Sequence, residues 1–316
     1  MKKIRRIVRY IKRYPNYLFI VLLQRLAPIL PDKLYLKLMF RLKMGYWMDF
    51  ANPKTFQEKL QWLKLYNRKP EYTKMVDKFA VKEYVAQLLG EECIIPTLGV
   101  WDKFDDIDFD FLPNQFVLKT THGGGNTGVV ICKDKSTFDR NKAKSKLEKS
   151  LKSDIYVSFR EWPYKNVKKQ IIAEKFIEIN GYQDLSDYKF FCFDGEPKYC
   201  QVIRDRNAIE TIDFYDMHWN HIPLIGLNPI LMGKSVLSFK NGTTQVGRPK
   251  ELDLIIGICR VLTTGIPFSR VDLYIVDDKI YFGEITFFPA SGFGCFEPME
   301  WDAILGDLIT LPNINR

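Results

Sequence analysis

Hydrophobic periodicity predicts helices in the first third of the chain. Four apolar residues within residues 2–13 recur at helical spacing, and basic side chains fill much of the remaining surface. This pattern predicts a basic amphipathic helix. Thr55 and Glu58 have the spacing of a capping box, which predicts a helix that runs to about Tyr66. Asp77 can cap a further helix with an apolar face.

From residue 94 the pattern changes to short β-branched and aromatic runs, which predict strands. These runs lie at 94–95, 116–118, 129–132, 171–173, 188–193, 271–276 and 280–285. Helical stretches separate some of them, at about 139–152 and 250–264. Because strands and helices are mixed throughout, the sequence predicts an α/β or α+β fold. The 46% of hydrophobic residues are ample for a large core.

The net charge of +9 is concentrated at the N-terminus. Residues 1–49 hold 12 Lys and Arg against 2 Asp and Glu, whereas residues 50–316 hold 35 against 36. Because the body is close to neutral, we expect no nucleic acid among the partners. The basic segment favours docking on an anionic membrane surface through residues 1–30, with a solvated tail as the alternative.

Cysteine usage and hydropathy indicate a protein of a reducing compartment. Six scattered cysteines form no C-x-x-C pair, which favours buried thiols. No apolar run approaches the roughly 20 residues of a membrane span. No A-x-A-like cleavage site follows the first apolar stretch, at 17–23. We therefore expect a cytoplasmic protein that the basic segment attaches to the inner face of the membrane.

A glycine-rich loop lies between two predicted strands at 116–132. Gly123, Gly124 and Gly125 lack a Cβ, so their backbone N–H groups can approach an anion closely. Lys119, at the end of the first strand, could reach a phosphate as a point charge. The loop is not a Walker A motif, because no Gly-Lys-Ser/Thr follows it. A hairpin loop without a ligand explains the glycines equally well.

The register of a predicted hairpin at 270–286 decides whether it carries a metal site. A two-residue turn at 277–278 would put Asp272 and Glu284 on opposite faces of the sheet, whereas a three-residue loop would pair them directly. Two facing carboxylates are unfavourable without a cation between them, and Mg²⁺ usually takes one or two carboxylates plus phosphate oxygens. The alternative is that both carboxylates point to solvent at strand ends.

In this order the segments resemble the ATP-grasp fold, and more closely its TupA-like branch of teichuronopeptide biosynthesis, found in bacterial surface-polysaccharide gene sets. The resemblance covers about residues 50–312. It rests on the Lys119 strand with its glycine loop and on the segments 187–195, 270–274, 283–286 and 288–292.

The resemblance implies an α/β (α+β) ATP-grasp architecture, in which two lobes clasp a nucleotide, preceded by a helical basic extension. It divides the chain into the basic N-terminal segment, a helical pre-domain, a small lobe with the glycine loop, and a large lobe with hinge and metal site. These parts span 1–49, 50–95, 96–170 and 171–316.

The resemblance further implies that the site binds ATP. Lys119 would bind the α- and β-phosphates, Lys189 would be a second phosphate-binding cation, and the loop of Gly123, Gly124 and Gly125 would close over the phosphates. The hinge would contact adenine partly through backbone groups. Its residues are Glu174, Lys175, Phe176 and Ile177.

By the same resemblance, Asp272, Glu284 and Thr286 would hold Mg²⁺. Thr286 stands where ATP-grasp ligases usually have Asn, and its hydroxyl is a weaker neutral donor. Arg270 would stabilise charge at the reacting centre, and Lys189 would act beside it.

The implied reaction is that of an ATP-dependent carboxylate–amine, or carboxylate–nucleophile, ligase. A carboxylate substrate attacks the γ-phosphate of ATP to give an acyl phosphate, and an amine or glycan acceptor then displaces phosphate. The product would belong to a capsular, teichuronic or lipopolysaccharide-type surface polymer. A glycosyltransferase of surface-polysaccharide biosynthesis, using the D-x-D patterns at 106–110, is the main alternative. A non-catalytic ATP-binding module is a further one.

Overall fold

The structure is a computed structural model that describes residues 17–125, 127–177, 186–204, 210–236 and 239–313. Its helices and antiparallel sheets form an α+β fold. The predicted amphipathic helix at 2–13 lies outside the described residues. Within the described ranges, no helix is long and apolar enough to cross a membrane.

Side-chain caps fix the starts of two helices at the predicted positions. The Thr55 hydroxyl accepts a hydrogen bond from the Glu58 amide at 3.3 Å, and the Glu58 carboxylate accepts one from the Thr55 amide at 3.1 Å. Asp77 accepts hydrogen bonds from the amides of Phe79 and Ala80. The described α-helices are α1 Tyr17–Leu26, α2 Asp32–Met44, α3 Phe56–Tyr66, α4 Glu71–Val76, α5 Ala80–Leu89, α6 Arg140–Leu151, α7 Ile155–Phe159, α8 Leu252–Thr263 and α9 Trp301–Asp307.

The glycine-rich loop belongs to a four-stranded antiparallel sheet with the strand order β1-β4-β2-β3. Its strands are β1 Thr97–Trp101, β2 Phe116–Thr120, β3 Val129–Cys132 and β4 Ile171–Lys175. The predicted strand at 94–95 is replaced by β1, two residues later. The predicted lobe boundary at residue 171 falls before β4, whereas β4 lies between β1 and β2 in this sheet. Strand β4 therefore belongs to the same sheet as the glycine-rich loop.

The predicted metal hairpin belongs to a second group of strands. These are β5 Asp187–Phe193, β6 Glu196–Arg204, β7 Thr211–Asp216, β8 His221–Ile222, β9 Ile225–Leu231, β10 Lys234–Ser235, β11 Phe268–Val276, β12 Lys279–Thr286 and β13 Gly294–Glu297. They form a six-stranded antiparallel sheet with the order β12-β11-β5-β6-β7-β8 and a three-stranded sheet with the order β10-β9-β13, so that the hairpin of β11 and β12 lies at the edge of the larger sheet. The apolar runs predict β5, β11 and β12, but not the other strands of these sheets, whose polar residues interrupt the pattern.

Helices α2 and α3 pack into the same hydrophobic core as the six-stranded sheet. Tyr35 and Phe40 of α2 and Phe56 of α3 are fully buried. The Phe56 ring meets the ring of Phe268 edge-on, with 4.8 Å between their centroids. Residues on both sides of position 49 therefore belong to one core.

Candidate active site

The hairpin of β11 and β12 brings Asp272 and Glu284 face to face. Its turn has two residues, Asp277 and Asp278, with φ angles of 49° and 60°. Such a turn alone would place the carboxylates on opposite faces. A β-bulge at Gly283 shifts the register by one residue and pairs Asp272 with Glu284. A Cβ at Gly283 would lie 2.9 Å from the Asp272 carbonyl oxygen, so the bulge needs glycine.

Three cations surround this carboxylate pair. Arg270 donates from Nε to Asp272 Oδ1 at 2.6 Å and from Nη2 to Asp272 Oδ2 at 2.8 Å. Lys189 Nζ pairs with Asp272 Oδ2 from the neighbouring strand β5. Lys78 Nζ lies 2.5 Å from Glu284 Oε2. Each carboxylate therefore faces at least one cation at hydrogen-bond distance.

The cations determine the charge state of Glu284. Burial alone would raise the pKa of Glu284, but Lys78, Lys189 and Arg270 outweigh it and hold the pKa below its usual range. Burial alone would lower the pKa of Lys78, but Glu284 outweighs it and the pKa is raised. Glu284 therefore stays an anion, as a metal ligand must.

Thr286 lies on β12 with Glu284 and is the third oxygen donor of the predicted metal site. Its Oγ1 lies 3.3 Å from Glu284 Oε1 and 3.2 Å from Arg270 Nη2. Two carboxylates and a hydroxyl fit Mg²⁺, which leaves other coordination positions to water and phosphate oxygens. Among the described residues, no group of three or more His, Cys, Asp and Glu could hold a metal ion by itself. A nucleotide's phosphates would therefore have to supply part of the coordination.

A second charged cluster lies on the four-stranded sheet. Glu174 Oε2 lies 2.5 Å from Lys119 Nζ, and Glu174 Oε1 lies 2.6 Å from Lys82 Nζ. Burial alone would raise the pKa of Glu174, but Lys119 and Lys82 hold it below its usual range. The Glu174 carboxylate thus fixes the position of Lys119 within this cluster.

The remaining hinge residues continue from the end of β4. Lys175 is exposed, and Phe176 and Ile177 are half-buried. The Lys175 amide donates to the Pro96 carbonyl at 2.9 Å, so this amide is already used in the fold. Phe176 and Ile177 are left as the candidates for contact with a base.

Lys78 connects the two charged clusters. Its amide donates to the Thr121 carbonyl at 3.0 Å, next to the end of β2, while its side chain pairs with Glu284 on β12. Glu174 and Asp272 also raise its pKa through their charge. The predicted phosphate lysine, Lys119, and the predicted metal carboxylates therefore share one electrostatic neighbourhood.

Sequence reasoning missed three charged residues of this site, namely Lys78, Lys82 and Asp187. Asp187 Oδ2 lies 2.9 Å from Lys189 Nζ and is 2% exposed as a residue. The two lysines stand one helical turn apart beside the buried residue Val81 at the start of α5. The sequence signal that could have identified them is the pair of lysines four positions apart, next to the apolar face of the helix.

The three predicted loop glycines have different surroundings. Gly123 is buried, and a Cβ there would lie 2.3 Å from Thr120 Oγ1. Gly124 is exposed, with no atom closer than 3.6 Å to such a Cβ, and Gly125 has open space around it. Packing therefore requires Gly123, whereas Gly124 and Gly125 leave room for a ligand.

The acids of the D-x-D patterns lie apart from these clusters. Asp106, Asp108 and Asp110 are all exposed. Neighbouring Asp105 pairs with Lys144 on the surface of α6. These contacts are typical of an acidic surface turn.

The family profile described as TupA-like ATPgrasp matches residues 58–310 of the chain. Among solved structures, the chain is similar to the D-alanine–D-alanine ligase from Bacillus anthracis, at 16% identity and a TM-score of 0.37, with 74% of this chain and 60% of that chain covered. It is also similar to a RimK domain ATP-grasp protein from Sphaerobacter thermophilus, at 11% identity and a TM-score of 0.41, with 83% and 85% covered. The chain thus spans about three fifths of the length of the Bacillus anthracis ligase. No curated protein matches it.

Proposed function

Because the chain belongs to the TupA-like ATP-grasp family, we propose that it is an ATP- and Mg²⁺-dependent ligase that activates a carboxylate as an acyl phosphate. The observation that carries this proposal is the pairing of Asp272 with Glu284 among three cations, in one neighbourhood with Lys119. Such a site needs no protein nucleophile, because preorganised charges and orientation lower the barrier.

The binding of ATP is assigned to the cations and the loop. Lys119, held by Glu174, would bind the α- and β-phosphates, and Lys189 would contact the transferred phosphate. The exposed amides of Gly124 and Gly125 would approach phosphate oxygens, since no Cβ blocks them.

The binding of Mg²⁺ is assigned to Asp272, Glu284 and Thr286. When bound, the ion would neutralise charge on the phosphate oxygens. Both oxygens of Asp272 contact cations in the structure, so these cations would turn towards the incoming phosphates as the ion binds. Arg270 would then stabilise negative charge on the transferred group.

We further propose that the acyl phosphate is attacked by an amine or glycan acceptor, in the cytoplasm, during assembly of a capsular, teichuronic or lipopolysaccharide-type surface polymer. The family membership supports this role. The free state of all six cysteines fits a reducing compartment. A glycosyltransferase is less well supported, because the D-x-D acids are exposed and lie in a surface turn whose neighbouring Asp105 pairs with Lys144.

The test compares nucleotides by thermal shift and then measures phosphate release. We expect ATP or ADP with Mg²⁺ to raise the melting temperature, and Lys119→Ala to abolish that shift. Lys144→Ala is the matched control, because Lys144 belongs to the same lobe and pairs only with exposed acids. Stabilisation by UDP, GDP or CMP instead of ATP would favour the glycosyltransferase. ATP binding without phosphate release for any carboxylate and amine pair would favour a non-catalytic module.

A further inference from the structure

Helix α1 has two apolar faces, and the core covers only one of them. Ile20, Leu23 and Ala27 are buried. The other side exposes a row of large apolar side chains with between 39% and 77% of their surface free. This apolar row consists of Leu18, Phe19, Leu22, Leu26 and Ile29. Single exposed apolar residues are ordinary, but five along one helical stretch mark an interaction surface.

The spacing of the apolar row shows that it is one continuous strip. Leu18, Leu22 and Leu26 follow each other at four-residue intervals, which places them on one side of the helix. Phe19 lies next to Leu18, and Ile29 continues the strip in the short turn that follows. This strip is long enough to lie flat on a surface.

Basic and aromatic side chains lie on and just after the helix that packs against α1. Arg25 of α1 is exposed, and helix α2 packs against α1. On α2, Lys37 Nζ and the Arg41 guanidinium lie 5.8 Å and 5.9 Å from the centre of the Trp47 ring, and Trp47 is 56% exposed. Trp with Lys or Arg is the combination enriched where a protein meets the headgroups of a bilayer.

The charge of residues 1–49 favours one kind of partner for the apolar row. Residues 1–49 carry 12 basic and 2 acidic residues. A second copy of the chain would bring an equally basic surface into contact, which like-charge repulsion disfavours. An anionic bilayer offers an apolar interior and a negative surface together. Each basic residue near such a surface strengthens binding about fivefold, from about 1 kcal/mol each.

We propose that α1 docks the enzyme on an anionic lipid bilayer, with the apolar row in the boundary between headgroups and acyl chains. The exposed Arg25 and Lys37 would contact the headgroups. This surface is separate from the charged clusters of the candidate active site, so the proposal stands or falls independently of the ligase chemistry.

The test uses the full chain, because truncation of residues 1–30 would also remove Ile20, Leu23 and Ala27 from the core. Sedimentation with phosphatidylcholine vesicles is compared with vesicles that contain 30% phosphatidylglycerol. The test variant is Phe19→Glu with Leu22→Glu. The matched control is Phe111→Glu with Leu254→Glu, which changes one exposed Phe and one exposed Leu elsewhere.

We expect the unaltered chain and the control to bind anionic vesicles at least tenfold more tightly than neutral ones, and more weakly in high salt. The test variant should bind anionic vesicles at least tenfold more weakly than the unaltered chain, with an unchanged melting temperature. Equal binding of the test and control variants would overturn the proposal. So would a size-exclusion result in which the unaltered chain forms a dimer that only the test variant dissociates, since a second copy would then cover the row.

Discussion

Two alanine substitutions in the glycine loop can separate an effect on stability from an effect on ATP binding. In Gly124→Ala the new methyl group meets no atom closer than 3.6 Å, at a backbone conformation that alanine adopts. We expect the free energy of unfolding to stay equal or to rise by up to about 1 kcal/mol. Alanine keeps the backbone N–H, so an effect on ATP would be steric: if the Gly124 amide binds a phosphate, a methyl group that holds the phosphate away costs about 1.5–3 kcal/mol. The affinity for ATP should then fall about 10- to 100-fold.

In Gly123→Ala the methyl group would lie 2.3 Å from Thr120 Oγ1, inside the packed base of the loop. We expect this variant to lose about 1–3 kcal/mol of stability. Urea unfolding measures the stability of both variants, and titration calorimetry measures ATP binding with Mg²⁺. Unchanged ATP affinity in Gly124→Ala would refute the reasoning, because the open space above Gly124 would then not be used by phosphate.

Two further predictions concern buried charge. Lys64 is fully buried and donates to three acceptors, among them the Ser291 carbonyl at 2.7 Å, beside buried Glu161. Lys64→Met should lower the free energy of unfolding by about 3–5 kcal/mol in urea titrations, and a loss below about 1 kcal/mol would contradict this. Burial raises the pKa of Asp302 to about 6, whereas its ordinary value is 3.8. Asp302 therefore stays protonated to a higher pH in the folded state than in the unfolded state. The free energy of unfolding of the wild type should fall by up to about 3 kcal/mol as the pH rises from about 4 to 6. Asp302→Asn keeps an oxygen acceptor for the backbone N–H of Gln57 and should not lose stability over this pH range. If the unfolding free energies of the wild type and Asp302→Asn changed in parallel with pH, the inference would be wrong.

The fold could be predicted wherever local signals agree with the final packing. The capping box at Thr55 and Glu58 and the apolar runs of β2, β5, β11 and β12 are local features, and the structure confirms them. Strands β6 to β10 and β13 could not be predicted, because polar residues interrupt their apolar pattern. Asp213 of β7, for example, is buried and pairs with Arg204 of the neighbouring strand β6. The predicted membership in the ATP-grasp fold is confirmed by the family match.

Contacts of the candidate site within one hairpin could be predicted from the sequence, whereas contacts between distant segments could not. The sequence predicts that Asp272 faces Glu284 only for one register, and the bulge that produces this register depends on the lone Gly283. Lys78 lies 206 positions before Glu284, so only the tertiary fold brings them together. The same holds for Glu174, whose side chain pairs with Lys119 and with Lys82.

The most direct test of the account is whether Asp272, Glu284 and Thr286 hold the metal of a nucleotide complex. Electron paramagnetic resonance can follow Mn²⁺, used in place of Mg²⁺, as it binds to the protein with ADP. Thr286→Val removes one oxygen donor at nearly constant volume, and Thr286→Ser keeps the hydroxyl as the matched control. We predict that the wild type and Thr286→Ser bind Mn²⁺ with ADP alike, and that Thr286→Val binds at least about tenfold more weakly. Equal binding by all three proteins, or no ADP-dependent Mn²⁺ binding by the wild type, would contradict the account.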